Sequence, residues 1–87
     1  MGIEYRLSVP EANRLKVADA LSEQLPALLA SADPKARDPF PNVYVQSDSE
    51  GVYLCDNLTD ATVSATVIRR VIDLMLLHSQ SVTVAEA

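Results

Sequence analysis

The stretch VYVQSDSEGVYLCD, residues 43–56, decides the predicted fold. It holds two runs rich in valine and tyrosine on either side of the tetrapeptide Asp48–Gly51. Short β-branched and aromatic runs bounded by turn residues are typical of strands. Asp at the first turn position and Gly at the last suit a type I turn closed by a glycine bulge. We therefore predict a β-hairpin with strands at Val43–Ser47 and Val52–Asp56.

The register of this hairpin assigns its side chains to two faces. If Val45 lies opposite Leu54, then Val43, Val45, Val52 and Leu54 share one face, which we expect to cover the core. The other face then carries Tyr44, Gln46, Tyr53 and Cys55. Tyrosine is enriched in protein interfaces, because its ring is apolar and its hydroxyl is polar.

A further strand is predicted upstream of the hairpin. Residues Ile3–Val9 alternate apolar and polar side chains, which predicts a half-buried strand with Glu4 and Arg6 on its polar face. The strand stops at Pro10, which lacks a backbone N–H. This polar face and the tyrosine-bearing face of the hairpin are expected to form one surface.

A helix is expected to follow this strand. Pro10 suits the first helical position, and Ser8 with Glu11 has the spacing of a capping box. Pro26 cannot donate to the preceding turn, so we expect a kink or a restart there. Apolar side chains recur every three or four positions on one predicted stripe: Leu15, Ala18, Leu21, Leu25 and Leu28.

A proline-rich loop joins this helix to the hairpin. Residues 32–42 hold three prolines among charged residues, which indicates a stiff connection rather than a flexible linker. Phe40, the one phenylalanine of the chain, is expected to dock against the core and pin the loop.

A second helix and a last strand are predicted after the hairpin. Thr59 or Asp60 is expected to cap the helix, which runs to about Leu77. Its apolar side chains sweep more than half of the circumference, more than one sheet face needs. Ser81–Ala85 is predicted to be the last strand; without it, the sheet would have three strands.

The order β-α-β-β-α-β predicts one α+β domain, residues 1–87, with a ferredoxin-like fold. In that fold an antiparallel sheet carries both helices on one face. Right-handed crossovers place the first and third strands in the centre.

Composition and charge exclude several classes of function. The chain has 87 residues, 7 basic and 12 acidic, for a net charge of −5. An acidic balance argues against a nucleic-acid partner, because phosphate binding needs a cationic face. No segment has the length of a membrane helix, and no secretory signal is recognisable at the start. We therefore expect a cytoplasmic protein with no membrane partner.

The residue types needed for catalysis are scarce, so we expect no enzyme, catalytic residue, metal or cofactor. Cys55 and His78 are the one pair that suggests a thiol–imidazole couple, but the second helix separates them by about 27 Å. The acidic residues near Asp48 and Asp60 lack the twelve-residue pattern of a calcium loop. Turn and capping roles account for them.

These observations predict a non-enzymatic protein–protein interaction module that self-associates as a homodimer or docks a partner protein. The contact surface is expected on the open sheet face or on the second helix. Residues 44–87 hold two basic and six acidic residues, which favours a basic partner. The candidate partner-binding residues are Tyr44, Gln46, Tyr53, Cys55, Glu4 and Arg6. The alternatives are a dimeric small-ligand-binding regulatory domain and, third, an enzyme without a recognisable motif.

Overall fold

The computed structural model describes residues 2–87; Met1, which the predicted domain includes, lies outside the described residues. Within this range the chain forms an α+β fold with a four-stranded antiparallel sheet and two α-helices. The strands are β1 (Ile3–Ser8), β2 (Val43–Ser47), β3 (Gly51–Asp56) and β4 (Thr83–Glu86), and the helices are α1 (Arg14–Ala32) and α2 (Ala61–Leu76). A short 3-10 helix, Glu11–Asn13, precedes α1.

The sheet has the strand order β2-β3-β1-β4, and every neighbouring pair is antiparallel. The first and third strands therefore lie in the centre, as predicted. Val45 lies opposite Leu54, so the predicted hairpin register is confirmed. The alternative with three strands is wrong, because β4 pairs along β1 from Ser8 to Tyr5.

The turn between β2 and β3 is closed by its own first and last residues. The Asp48 backbone N–H donates to the Gly51 carbonyl at 2.9 Å, and the Asp48 carboxylate accepts from the backbone N–H groups of Glu50 and Gly51. Gly51 has a φ of +150°, and a Cβ there would clash with the Leu7 carbonyl of β1. Only glycine therefore fits where the hairpin passes this close to the central strand.

Both helices and one sheet face share a single core. Leu7, Val52 and Leu54 project from the two central strands and have no accessible surface. They cluster with buried residues of α1, among them Val17 and Leu21, and with Val67, Val71 and Met75 of α2. This sheet face, carrying Leu7, Val43, Val52 and Leu54, is named the covered face below.

Three expectations for α1 and its start are wrong. Leu15 is 75% exposed, because the buried stripe runs through Val17 and Ala20 to Leu25 instead. The helix also continues through Pro26, so the expected restart at this residue is wrong. A proline removes one backbone hydrogen bond, and the burial of Leu21 and Leu25 beside it holds the helical path. The predicted capping box is absent as well, since Ser8 belongs to β1 and no side chain caps the 3-10 helix.

Helix α2 begins where the sequence predicts. The Asp60 carboxylate accepts from the backbone N–H groups of Thr62 and Val63, both at 3.1 Å. Much of the wide apolar arc of this helix is covered, because α1 packs alongside it as well as the sheet. Leu76, in the last turn, remains 45% exposed. The second helix therefore offers less free apolar surface than its sequence suggests.

The loop from Ala32 to Asn42 is pinned by a buried carboxylate. Phe40 is 85% exposed, so the expectation that it docks on the core is wrong. Asp33, at the end of α1, is 2% exposed and accepts from the backbone N–H groups of Lys35 and Asn42 at 2.9 Å. The Asn42 side-chain amide donates to the same carboxylate at 2.8 Å. These bonds close the loop without any contribution from its aromatic residue.

Candidate functional site

The structure brings all six predicted site residues together on one face of the sheet. Glu4, Cys55 and Tyr44 form one row across the central strands and β2, and Arg6, Tyr53 and Gln46 form the next. These residues alternate with those of the covered face, so they project away from both helices. The surface made by Glu4, Arg6, Tyr44, Gln46, Tyr53 and Cys55 is named the open face below.

The two tyrosines form the apolar centre of the open face. Their ring centroids lie 6.2 Å apart with an interplanar angle of 63°, an edge-to-face pair. Such pairs are favourable because the positive edge of one ring meets the negative face of the other. The Tyr44 hydroxyl donates to Gln46 Oε1 at 3.1 Å, and Tyr44 is 46% exposed. The pair is therefore held in place while much of one ring stays in solvent.

Tyr53 is further fixed by a carboxylate of the neighbouring strand. Its hydroxyl donates to Glu4 Oε1. This hydrogen bond, together with partial desolvation and the nearby negative charge, raises the pKa of Tyr53 to about 12. The phenol therefore stays protonated to a higher pH than an ordinary tyrosine and donates to the Glu4 carboxylate throughout that range.

Arg6, in the same row as Tyr53, is engaged by the β2–β3 turn. Its Nη2 donates to Asp48 Oδ2 at 2.7 Å, and its Nη1 lies 3.9 Å from Glu50 Oε2. The hydrogen bond and the opposite charge raise the pKa of the Arg6 guanidinium and lower the pKa of the Asp48 carboxyl. The one cation of the open face is thus already paired with two carboxylates.

Cys55 lies beside the tyrosine pair, opposite Tyr44 on the neighbouring strand. Its thiol is half-buried and donates to Asn57 Oδ1 at 3.6 Å. His78 lies after the end of α2, whereas Cys55 lies in β3, before that helix begins. A 16-residue helix spans about 24 Å, so the structure keeps the two residues at opposite ends of α2, as expected.

Some residues of this surface are missing from the sequence prediction. Thr83 and Ala85 of β4 lie opposite Ser8 and Arg6, so they extend the surface to the far edge of the sheet. Asp48 contacts Arg6 although its predicted role was confined to the turn. The pairing of β1 with β3 places Gly51 opposite Ser8 and so brings the turn close to Arg6, and the hairpin sequence alone does not give this pairing.

A groove of about 320 Å³ lies where β3 leads into α2 and is lined by Asp56, Leu58, Ala61, Ser64, Ala65 and Ile68. It lies apart from the six predicted site residues. Among residues 2–87, no group of three or more His, Cys, Asp or Glu side chains is arranged to hold a metal ion.

Neither described helix combines the length and the hydrophobicity that a membrane crossing requires. Comparisons with protein-family models, with curated proteins and with solved structures found no match. The open face therefore has to be interpreted from its own chemistry.

Proposed function

We propose that the chain is a protein–protein interaction module, not an enzyme, and that it binds a partner protein through its open face. The observation that carries this proposal is the edge-to-face pair of Tyr44 and Tyr53 on a sheet surface that the helices leave uncovered. Two ordered aromatic rings, of which Tyr44 is 46% exposed, offer apolar contact area with little side-chain entropy left to lose.

The polar groups around the rings support the same function. Gln46 and Glu4 accept from the tyrosine hydroxyls, which fixes the rings in one arrangement before any partner arrives. Preorganisation of this kind lowers the entropic cost of association. Central aromatic residues surrounded by polar ones are the usual arrangement of an interface.

We also propose that the architecture belongs to the ferredoxin-like class and that the protein is cytoplasmic. The alternation of strands and helices along the chain, with β1 and β3 in the centre of the sheet, supports the fold class. The one cysteine is a free thiol, as is usual for proteins of a reducing compartment. Neither statement by itself determines the function.

The test is affinity capture from the native lysate with matched variants of the purified protein. Tyr44→Ala and Tyr53→Ala each remove one ring of the open face. Phe40→Ala is the control, because it removes a more exposed aromatic ring that lies outside the open face. We expect at least one protein that wild type and Phe40→Ala retain and that both tyrosine variants lose. Circular dichroism melting of all four proteins establishes that each variant is folded.

Equal capture by all four proteins would contradict the proposal. Loss of a dimer in the tyrosine variants, measured by light scattering, would identify a second copy as the partner. The alternative of a dimeric small-ligand regulatory domain predicts instead a rise in melting temperature with one class of metabolite, because a ligand that binds only the folded state stabilises it.

A further inference from the structure

Negative charge is distributed unevenly between the two layers of the molecule. The described strands and the β2–β3 turn hold one basic residue, Arg6, and five acidic residues, a net charge of −4. The helices and the remaining loops hold six basic and seven acidic residues, a net charge of −1. Four of the five excess negative charges therefore belong to the sheet layer.

Part of this charge lies at the open face itself. Glu4 is a member of the face, and Asp48 and Glu50 border it at the β2–β3 turn. Arg6 is held between the two turn carboxylates, so its charge is compensated within the chain. The remaining acidic strand residues lie elsewhere: Asp56 accepts from Ser64 of α2, and Glu86 lies opposite Tyr5.

This charge pattern discriminates between two occupants of the open face. A second copy would bring the same acidic surface, and the like charges would oppose association. A cationic segment would meet opposite charge, which accelerates encounter and favours the bound state. The exposed faces of the tyrosine rings add a second attraction, because a guanidinium over an aromatic ring is bound by the ring quadrupole.

Deepening the proposed function, on which this inference rests, we propose that the partner presents an arginine-rich segment to the open face. Its guanidinium groups contact the Glu4 carboxylate and the exposed surfaces of Tyr44 and Tyr53. Arginine suits this surface better than lysine, because its planar guanidinium group stacks on aromatic rings and forms bidentate hydrogen bonds with carboxylates. Homodimerisation through this face is disfavoured by the same charges.

The test titrates the full chain with a defined probe, a peptide of alternating arginine and serine. A peptide of the same length with glutamate in place of arginine is the control. Backbone NMR shifts locate the bound probe, and isothermal titration gives its affinity. Glu4→Gln removes one charge from the open face, and Glu23→Gln removes the same charge from the exposed surface of α1.

We expect the arginine peptide to shift resonances of β1, β2 and β3 around the two tyrosines, and the glutamate peptide to shift none. Glu4→Gln should weaken binding about threefold, as for a partly exposed ion pair, and Glu23→Gln should leave it unchanged. Added salt should weaken binding through screening.

Three results would overturn the inference. The peptide could shift only helix resonances, Glu4→Gln and Glu23→Gln could have equal effects, or the chain could form a dimer through the open face. These outcomes remain distinguishable from failure of the proposed function. The tyrosine variants could lose a captured protein while the arginine peptide does not bind the open face. In that case the proposed interaction module is supported and the proposed partner chemistry is wrong.

Discussion

The covered and open faces of the sheet come from the same strands but differ in what holds their side chains. On the covered face, Leu7, Val52 and Leu54 are completely buried and aliphatic. On the open face, Tyr53 and Arg6 are held by hydrogen bonds and ion pairs to Glu4 and Asp48. Burial of aliphatic groups stabilises the fold strongly, whereas partly exposed polar pairs stabilise it little.

This difference fits the proposal that the two faces have different tasks. The covered face accounts for folding, and the ordered aromatic surface of the open face remains available for binding. The comparison makes quantitative predictions, because substitutions of similar size should affect stability on one side of the sheet and binding on the other.

The largest effect is expected on the covered face. Leu54→Ala should lower the free energy of unfolding by about 2–5 kcal/mol, because it removes buried methyl groups and leaves a cavity. Leu15→Ala is the matched control, since Leu15 is 75% exposed and the same change there should cost less than about 0.5 kcal/mol. Urea denaturation measures both. Similar losses for the two variants would refute the assignment of the core.

A smaller loss is expected at the buried carboxylate that pins the loop on the helical side. Asp33→Ala leaves the donors of Asn42 and Lys35 without their acceptor, which should cost about 2–3 kcal/mol. Asp38→Ala changes an exposed carboxylate of the same loop and should have little effect. Chemical denaturation of the two variants compares them directly. Equal stability would show that the Asp33 hydrogen bonds are dispensable.

The same carboxylate gives the protein an acid-sensitive stability. Burial alone would raise the pKa of Asp33, but the hydrogen bonds from Asn42, Lys35 and Val43 outweigh burial and leave its pKa below the usual value. The unfolded chain therefore binds a proton more readily than the folded chain. Stability from this group should be present above about pH 4 and decline as the pH falls below that value.

Thermal melting between neutral and acidic pH measures this decline. In Asp33→Asn, the loss of stability that comes from protonating Asp33 should disappear. The melting temperature of this variant should therefore depend less steeply on pH than that of wild type. A variant curve as steep as the wild-type curve would contradict the lowered pKa. Asp48, whose pKa is lowered by its bond to Arg6, leaves some acid sensitivity in both proteins.

The smallest effect on stability is expected on the open face. Tyr53→Phe removes only the hydroxyl that donates to Glu4, at a position next to solvent, and should leave the melting temperature at neutral pH nearly unchanged. In wild type, the Tyr53 hydroxyl should be detectable by its raised pKa in a titration. Followed by ultraviolet absorbance, one tyrosine should ionise near pH 12, and Glu4→Gln should bring it closer to the usual value of about 10.

The direction of the linked stability follows from the raised pKa. The stability that the protonated Tyr53 contributes is present below about pH 10 and is lost as the pH rises toward the folded-state value. Wild type should therefore lose stability between these values, and Tyr53→Phe should lose less. The reverse order would contradict the hydrogen bond to Glu4.

Local sequence patterns could predict the sheet because its faces obey a period of two. The register of Val45 against Leu54 and the placement of the six open-face residues follow from that period and from turn chemistry. The Asp60 cap follows from the preference of aspartate for the residue before a helix. Leu15 and Phe40 could not be placed, because tertiary packing selects which apolar residues of a helix or loop are covered. The bond between Asp33 and Asn42 joins residues nine positions apart through an irregular loop, for which no periodicity exists.

Site-specific photo-crosslinking tests the central claim, that the open face binds a partner, most directly. A benzophenone-bearing phenylalanine analogue is placed at Tyr44 in one protein and at Phe40 in another, and both are irradiated in the native lysate. The account predicts a cross-linked protein at position 44 and not at position 40, with the linked segment carrying arginine. Equal cross-linking at both positions, or cross-linking at position 40 alone, would contradict it.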